Sequence, residues 1–340
     1  MFRPLLAGLL AAGLALASTA QDKKDEKKDP PKKKVVVAEP KDAAKDADFA
    51  VQGEYVGAYK DEKVAAQVIA KGEGKFAVKM YKGGLPGEGW NGDAKDVLAG
   101  TAETKSDGKT VATMKFGGET STATIADGVL AVTDPVKVEL KKVERKSKTL
   151  GAKPPEGAVV LFGKEGDEKG WNGGKIKELS DGKYLDVGVT SKQKFGAFKA
   201  HVEFRLPWMP GSTGQGRGNS GVYFQNRYEL QVLDSFGLNG ENNECGGIYT
   251  LHKPLVNMCL PPLVWQTYDI EFTPAQFDGD KKTKNARATV YHNGVKIHDD
   301  AELKNATGGG QKEDAMPGPF QFQNHGDPVV YRNVWVVEVK

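Results

Sequence analysis

The stretch Arg217-Gly-Asn-Ser-Gly-Val-Tyr-Phe-Gln-Asn-Arg-Tyr-Glu-Leu-Gln-Val-Leu-Asp234 holds the densest set of side chains able to move protons or bind hydroxyls. It reads as two short strands joined by a tight turn at Gln225-Asn226-Arg227. Side chains alternate across a strand, so Tyr223 and Gln225 share one face while Val222 and Phe224 take the other. On the second strand Glu229 and Gln231 share a face opposite Leu230 and Val232. A polar, aromatic face backed by an apolar one suits a sugar, with rings against sugar faces and amides and carboxylates against hydroxyls. An ordinary solvated sheet face is the competing explanation. Asp234 lies five residues past Glu229, so a strictly regular strand turns it away. A single bulge, a device common beside active sites, brings it round.

A second cluster closes the chain. Gln321, Gln323 and His325 alternate with Phe320, Phe322 and Asn324, which again gives a face of amides and imidazole. A histidine titrates near neutral pH and suits proton transfer, although a lone one serves equally as a hydrogen-bonded turn residue. Cys245 and Cys259 flank a loop, and in an exported chain they are expected to form one disulfide contributing about 3 kcal/mol. Two thiols with His252 lack a fourth zinc ligand. Asp299-Asp300 and Asp278-Gly-Asp280 read as solvated turns rather than calcium ligands. No metal or other cofactor is expected.

The elements that must position these residues are strands. Forty-two Gly and 17 Pro among 340 residues, with Val and Thr gathered in short runs, exclude a helical bundle. The balance of 48 basic against 45 acidic residues leaves +3, with much of the Lys in one N-terminal run, so nucleic acid is not an expected partner. Residues 1–20 read as an export signal: Arg3, the apolar stretch Leu5 to Ala17, and Ser18-Thr19-Ala20 before Gln21. No later segment looks transmembrane, so a secreted, periplasmic or cell-envelope location is expected, without membrane insertion after cleavage. Residues 21–48 carry mixed charge and few large side chains and read as a disordered linker. Period-two runs over residues 49–146 predict a small antiparallel β domain. A charged, Pro-terminated connector follows, and strand patterns across 156–340 predict a two-sheet sandwich. Gly-Trp-Asn-Gly occurs at 89–92 and 170–173, read as two similar turns with a packed Trp.

The second domain also resembles a known family. Leu161-Phe-Gly-Lys with Gly170-Trp171, Gly218-Asn-Ser-Gly-Val-Tyr-Phe through Asp234, Gly247-Ile-Tyr249, Trp265 with Tyr268-Asp-Ile, His292-Asn-Gly-Val, and Gly318-Pro-Phe-Gln-Phe-Gln-Asn-His-Gly through Arg332-Asn333 are similar to the 3-keto-disaccharide hydrolase domain. The resemblance implies an all-β, concanavalin A-like jelly roll acting on oxidised sugars. A ketone at carbon 3 acidifies the hydrogen at carbon 2, so a base can remove it, the glycosidic oxygen departs, and water adds back. Such a route needs a base, an acid and donors to the enolate. Glu229 and His325 are the candidates for base and acid, with Asp234 as a second carboxylate and Arg217 or Gln323 at the enolate. Tyr223, Gln225, Gln231 and Gln321 complete the expected surface for an oligosaccharide or glycoside. Glu229-Leu-Gln-Val-Leu-Asp234 also matches the carboxylate spacing of laminarinase-like jelly rolls, except that Gln231 replaces the middle carboxylate. The helper acid of the ordinary retaining mechanism is therefore missing, though two carboxyls about 5 Å apart suffice in principle. A lectin-like module using the same face without turnover is the alternative.

Overall fold

Alternating segments of Val, Thr, Ala and aromatic residues, separated by turns, pair antiparallel throughout. The computed structural model describes residues 34–116, 119–134 and 136–339; the expected export signal and the expected linker up to residue 33 lie outside them. From Gly53–Tyr59 to Val138–Val143, eight strands pair in chain order and close into a barrel, because the first strand pairs with both the second and the last. Alternate residues point inward, and Tyr55, Val68, Phe76, Ala112, Leu130 and Leu140 fill its centre. The smaller N-terminal domain is thus β, as expected, and closed.

Two large sheets and a two-stranded ribbon, Gln276–Asp278 with Lys281–Lys284, form the C-terminal domain. The five-stranded sheet runs in the spatial order Trp171–Asn172, Val189–Phe195, Gly318–Phe322, Ser220–Phe224, Tyr228–Val232. The other sheet has eight strands, with Phe198–Arg205 between Val330–Glu338 and Trp265–Thr273. Between them Phe198, Val202, Phe204, Val222, Phe224, Leu230, Phe320 and Phe322 make one core. Of the two repeated tetrapeptides, Trp171 is buried and its Nε1 donates to Leu161 O at 2.9 Å, whereas Trp90 is half-buried against Tyr81.

One expectation about the connecting segments is corrected. The linker expected to be disordered up to Asp48 is ordered from Lys34 onward. Val37 bridges Trp208, short helices span Pro40–Ala43 and Ala47–Val51, and Asp46 accepts from Trp208 Nε1 at 2.9 Å. Low apolar content misleads there because the partner surface, around Trp208, lies far along the chain. The charged connector after Val143 is also pinned. Arg145 Nε donates to Glu54 Oε2 at 2.6 Å, and Thr149 Oγ1 donates to Asp269 Oδ2 at 2.6 Å. Gly151 N donates to Glu203 Oε1 at 2.6 Å, on the outer face of the eight-stranded sheet. No helix among the described residues is long and apolar enough to cross a membrane.

Candidate active site

Tyr223 and Glu229 face each other across the hairpin of the five-stranded sheet, two register steps from Gly221 opposite Gln231. The hairpin turns through Gln225 and Asn226, both at φ 56°, the left-handed pair whose twist matches the strands it joins. Gln321 lies beside Tyr223 on the next strand, and Thr190 beside Gln321 on the one after. Thr190, Gln321, Tyr223 and Glu229 therefore form one row across four strands. They occupy the face opposite the core, since Val222, Leu230 and Phe322 pack inward. Gly221, Gln231 and Gln323 make the adjoining row, with Asn219 two residues beyond Gly221 on the same side, and Gln323 N donates to Gly221 O at 2.9 Å.

Tyr223 Oη donates to Glu229 Oε2 at 2.7 Å, lies 3.1 Å from Gly308 O, and accepts from Gln323 Nε2 at 3.4 Å. A phenol has one hydrogen, so these contacts describe two states. With Glu229 ionised, Tyr223 donates to the carboxylate; with Glu229 protonated, the acid donates to Tyr223, which donates to Gly308. Burial lifts the Glu229 carboxyl to about 7, against the lowering by the Tyr223 hydrogen bond. Burial, and next the Glu229 charge, push the Tyr223 phenol far above its ordinary value, so it stays protonated. A Cβ at Gly221 would stand 2.4 Å from Glu229 Oε1, so any other residue there must displace the carboxyl.

Glu229 and Tyr223 are each 2% exposed. Their roof is largely backbone. Thr307 Oγ1 accepts from Glu229 N at 2.8 Å, Gly308 meets Tyr223, and a Cβ on Gly309 would stand 3.0 Å from the Tyr223 hydroxyl. On the neighbouring row Gln231 Nε2 donates to Gln215 Oε1 at 3.0 Å, and Asn219 Nδ2 donates to Gln215 O at 2.8 Å. Gln231 Oε1 and Asn219 Oδ1 are buried without a hydrogen-bond partner among the described residues.

Other expected site residues are placed elsewhere. Pairing between the hairpin strands is unbroken, so no bulge turns Asp234 toward Glu229. Instead Asp234 Oδ2 accepts from Arg217 Nε at 2.6 Å, and Arg217 Nη1 donates to Ala70 O of the barrel at 3.0 Å. This pair fastens barrel to sandwich, where a cation and an anion taken out of water must satisfy one another. Gln225 is spent on its own turn: its amide donates to Phe195 O at 2.9 Å and its carbonyl accepts from Arg227 Nη1 at 2.8 Å. His325 is exposed beyond the end of its strand and has no hydrogen bond to Glu229. Cys245 and Cys259 are free, buried thiols and form no disulfide. Their loop is held otherwise, by the bridge of Ile248 to Leu230 and by Gln231 N donating to Gly247 O at 2.9 Å, while Cys245 Sγ lies 3.2 Å from Tyr268 Oη. No group of three or more His, Cys, Asp or Glu placed to hold a metal ion is found among the described residues.

Sequence reasoning missed Asn219, Gln215 and Thr307. Asn219 was within reach, being on the same side of its strand as Tyr223 by simple alternation. Gln215 and Thr307 arrive on loops, and nothing local marks them.

A jelly-roll sandwich with a buried carboxyl and amides on the outer face of its smaller sheet is a concanavalin A-like domain with a sugar-compatible face. The chain belongs to the 3-keto-alpha-glucoside-1,2-lyase-like domain family, whose model matches residues 157–337. It is also similar to two crystal structures of candidate glycosyl hydrolases from Parabacteroides distasonis ATCC 8503. One is 31% identical, over 54% of this chain and 85% of that chain, with a TM-score of 0.49. The other is 19% identical, over 54% of this chain and 95% of that chain, with a TM-score of 0.36. No curated protein matches the chain.

Proposed function

We propose that this protein cleaves 3-keto-glycosides by elimination and hydration, with Glu229 as the base. The observation that carries the proposal is the placement of the Glu229 carboxyl, 2% exposed on the outer face of the smaller sheet and hydrogen-bonded to the Tyr223 phenol at 2.7 Å, where burial raises it to about 7. A base whose pKa lies near the working pH combines adequate ionisation with adequate basicity. Family membership supports the substrate class.

In the first step Glu229 takes the proton from carbon 2. The released electron pair forms the carbon 1–carbon 2 double bond as the carbon 1–oxygen bond breaks, and the aglycone oxygen leaves with that bond's electrons. Donors to the carbon 3 oxygen stabilise the charge that develops there; Gln323 Nε2, which reaches the Tyr223 hydroxyl on this face, is the candidate. The departing oxygen needs a proton, and His325, at the exposed strand end, is the candidate by residue type. Water then adds across the double bond and restores the 3-keto sugar. Because Glu229 is 2% exposed and Gly308 O lies over Tyr223, elimination at Glu229 requires the Thr307–Gly310 segment to move aside for substrate to enter. The expected export of the chain belongs to this proposal, and the N-terminus of the mature protein tests it.

The function is tested by aglycone release from a 3-keto-glucoside. Wild type is expected to release it, and Glu229→Gln to lose on the order of 10³-fold in turnover. Glycan binding without release by wild type would instead make the domain a lectin-like module.

A further inference from the structure

The barrel is filled unevenly. Toward the end closed by the Ala47–Val51 helix, Tyr55, Ala70, Phe76, Ile125 and Leu130 are packed to 3% exposure or less. Toward the other end a cavity of about 390 Å³ opens among Val64, Met80, Leu98, Met114, Val132 and Val138. Eight strands enclose a space that side chains can just fill or that one small ligand can occupy. Here medium-sized side chains, Val64, Leu98, Val132 and Val138, line the space without filling it.

We infer that this cavity is a binding site for one small uncharged amphiphile, an apolar body with a hydroxyl-bearing end. The size follows from the volume. At roughly 30 Å³ per non-hydrogen atom, the space that water takes in its liquid, the cavity holds about a dozen such atoms. The apolar body follows from the lining, in which Met80 and Met114 supply adaptable, polarizable contacts. The absence of charge follows from the rim, which offers two acids and two bases, Glu62 and Asp96 with Lys82 and Lys95. Lys82 Nζ already lies 3.3 Å from Glu62 Oε1, and Asp96 Oδ2 accepts from Asn91 Nδ2 at 2.8 Å. A rim so balanced selects neither anion nor cation and leaves polar groups for a hydroxyl. Glu229 has no part in this inference.

The test is titration of 2-naphthol, an uncharged aromatic alcohol, into the full chain, followed by calorimetry and by methionine-methyl NMR. Saturable one-to-one binding is expected, with the Met80 and Met114 methyl signals shifting while those of Met209, Met258 and Met316 stay. Leu98→Trp, which fills the cavity, is expected to weaken binding at least tenfold, and Glu229→Gln to leave it unchanged. The inference is overturned by absence of saturable binding, or by binding that moves the other methionines and not Met80 and Met114. The methyl signals of wild type decide the matter even if Leu98→Trp does not fold.

Discussion

Glu203 and Glu229 stand on the two opposed sheets of one sandwich, 1% and 2% exposed, and their acidities are driven in opposite directions. Burial alone would raise both. At Glu203 that effect is outweighed by donors from His201, Asn333, Arg332 and the Gly151 backbone, which hold the carboxyl at about 2. Arg332 Nε is 2.7 Å from its Oε2, and Asn333 Nδ2 and Gly151 N are 2.9 and 2.6 Å from its Oε1. At Glu229 only Tyr223 among the described residues donates to the carboxyl, burial prevails, and the value is about 7. Depth does not separate a structural carboxylate from a chemical one; the number of donors does. Glu203 is fully committed to holding the connector and the Val330–Glu338 strand, whereas Glu229 retains the capacity to gain and lose a proton.

The comparison is sharpened first by the loss of turnover expected for Glu229→Gln, the largest effect. Next comes Glu203→Gln, which strands Arg332 and its companions around an uncharged amide. It is expected to cost about 3–5 kcal/mol in urea unfolding at pH 7. The pH dependence of stability then separates the two sites by sign. Glu229 is raised above its unfolded value near 4.5, so its neutral form favours folding; that contribution is complete below about 4.5 and lost as pH rises through about 7. Glu229→Gln should therefore gain on wild type by up to about 3 kcal/mol between pH 5 and pH 9. Glu203 is depressed, so its contribution, also about 3 kcal/mol, is present above about 4.5 and disappears as pH falls toward 2. Glu203→Gln should thus destabilise least in acid. Gly221→Ala puts a Cβ against the Glu229 carboxyl and is expected to cost about 1–3 kcal/mol, measured by thermal unfolding, together with turnover. The smallest effect is that of Tyr223→Phe. Removing the one hydrogen bond that lowers the Glu229 pKa should shift the acidic limb of the rate profile up by about one pH unit.

The face carrying the site was legible in the sequence because a period of two is local. Tyr223, Glu229, Gln231, Gln321 and Gln323 share it by counting alone, and Gly221 follows once Glu229 is placed. Asp234 and Arg217 were misjudged for a reason no local pattern reveals: the barrel supplies Ala70 O as a third partner and draws the pair away. The same holds for Val37 and Trp208. The closed barrel, as opposed to an open sheet, depends on pairing between its first and last strands, and sequence alternation is silent about that. The thiols of Cys245 and Cys259 were assigned a bridge on compartment grounds, while hydrogen bonds hold the loop between them.

The carboxyl of Glu229, observed by carbon-13 NMR across pH 4 to 9 with Glu229→Gln to assign the signal, gives the most direct reading. A titration midpoint near 7 is the predicted result. A midpoint near 4.5, the ordinary value of a solvated glutamate, would contradict the account of Glu229 as a base poised for neutral pH.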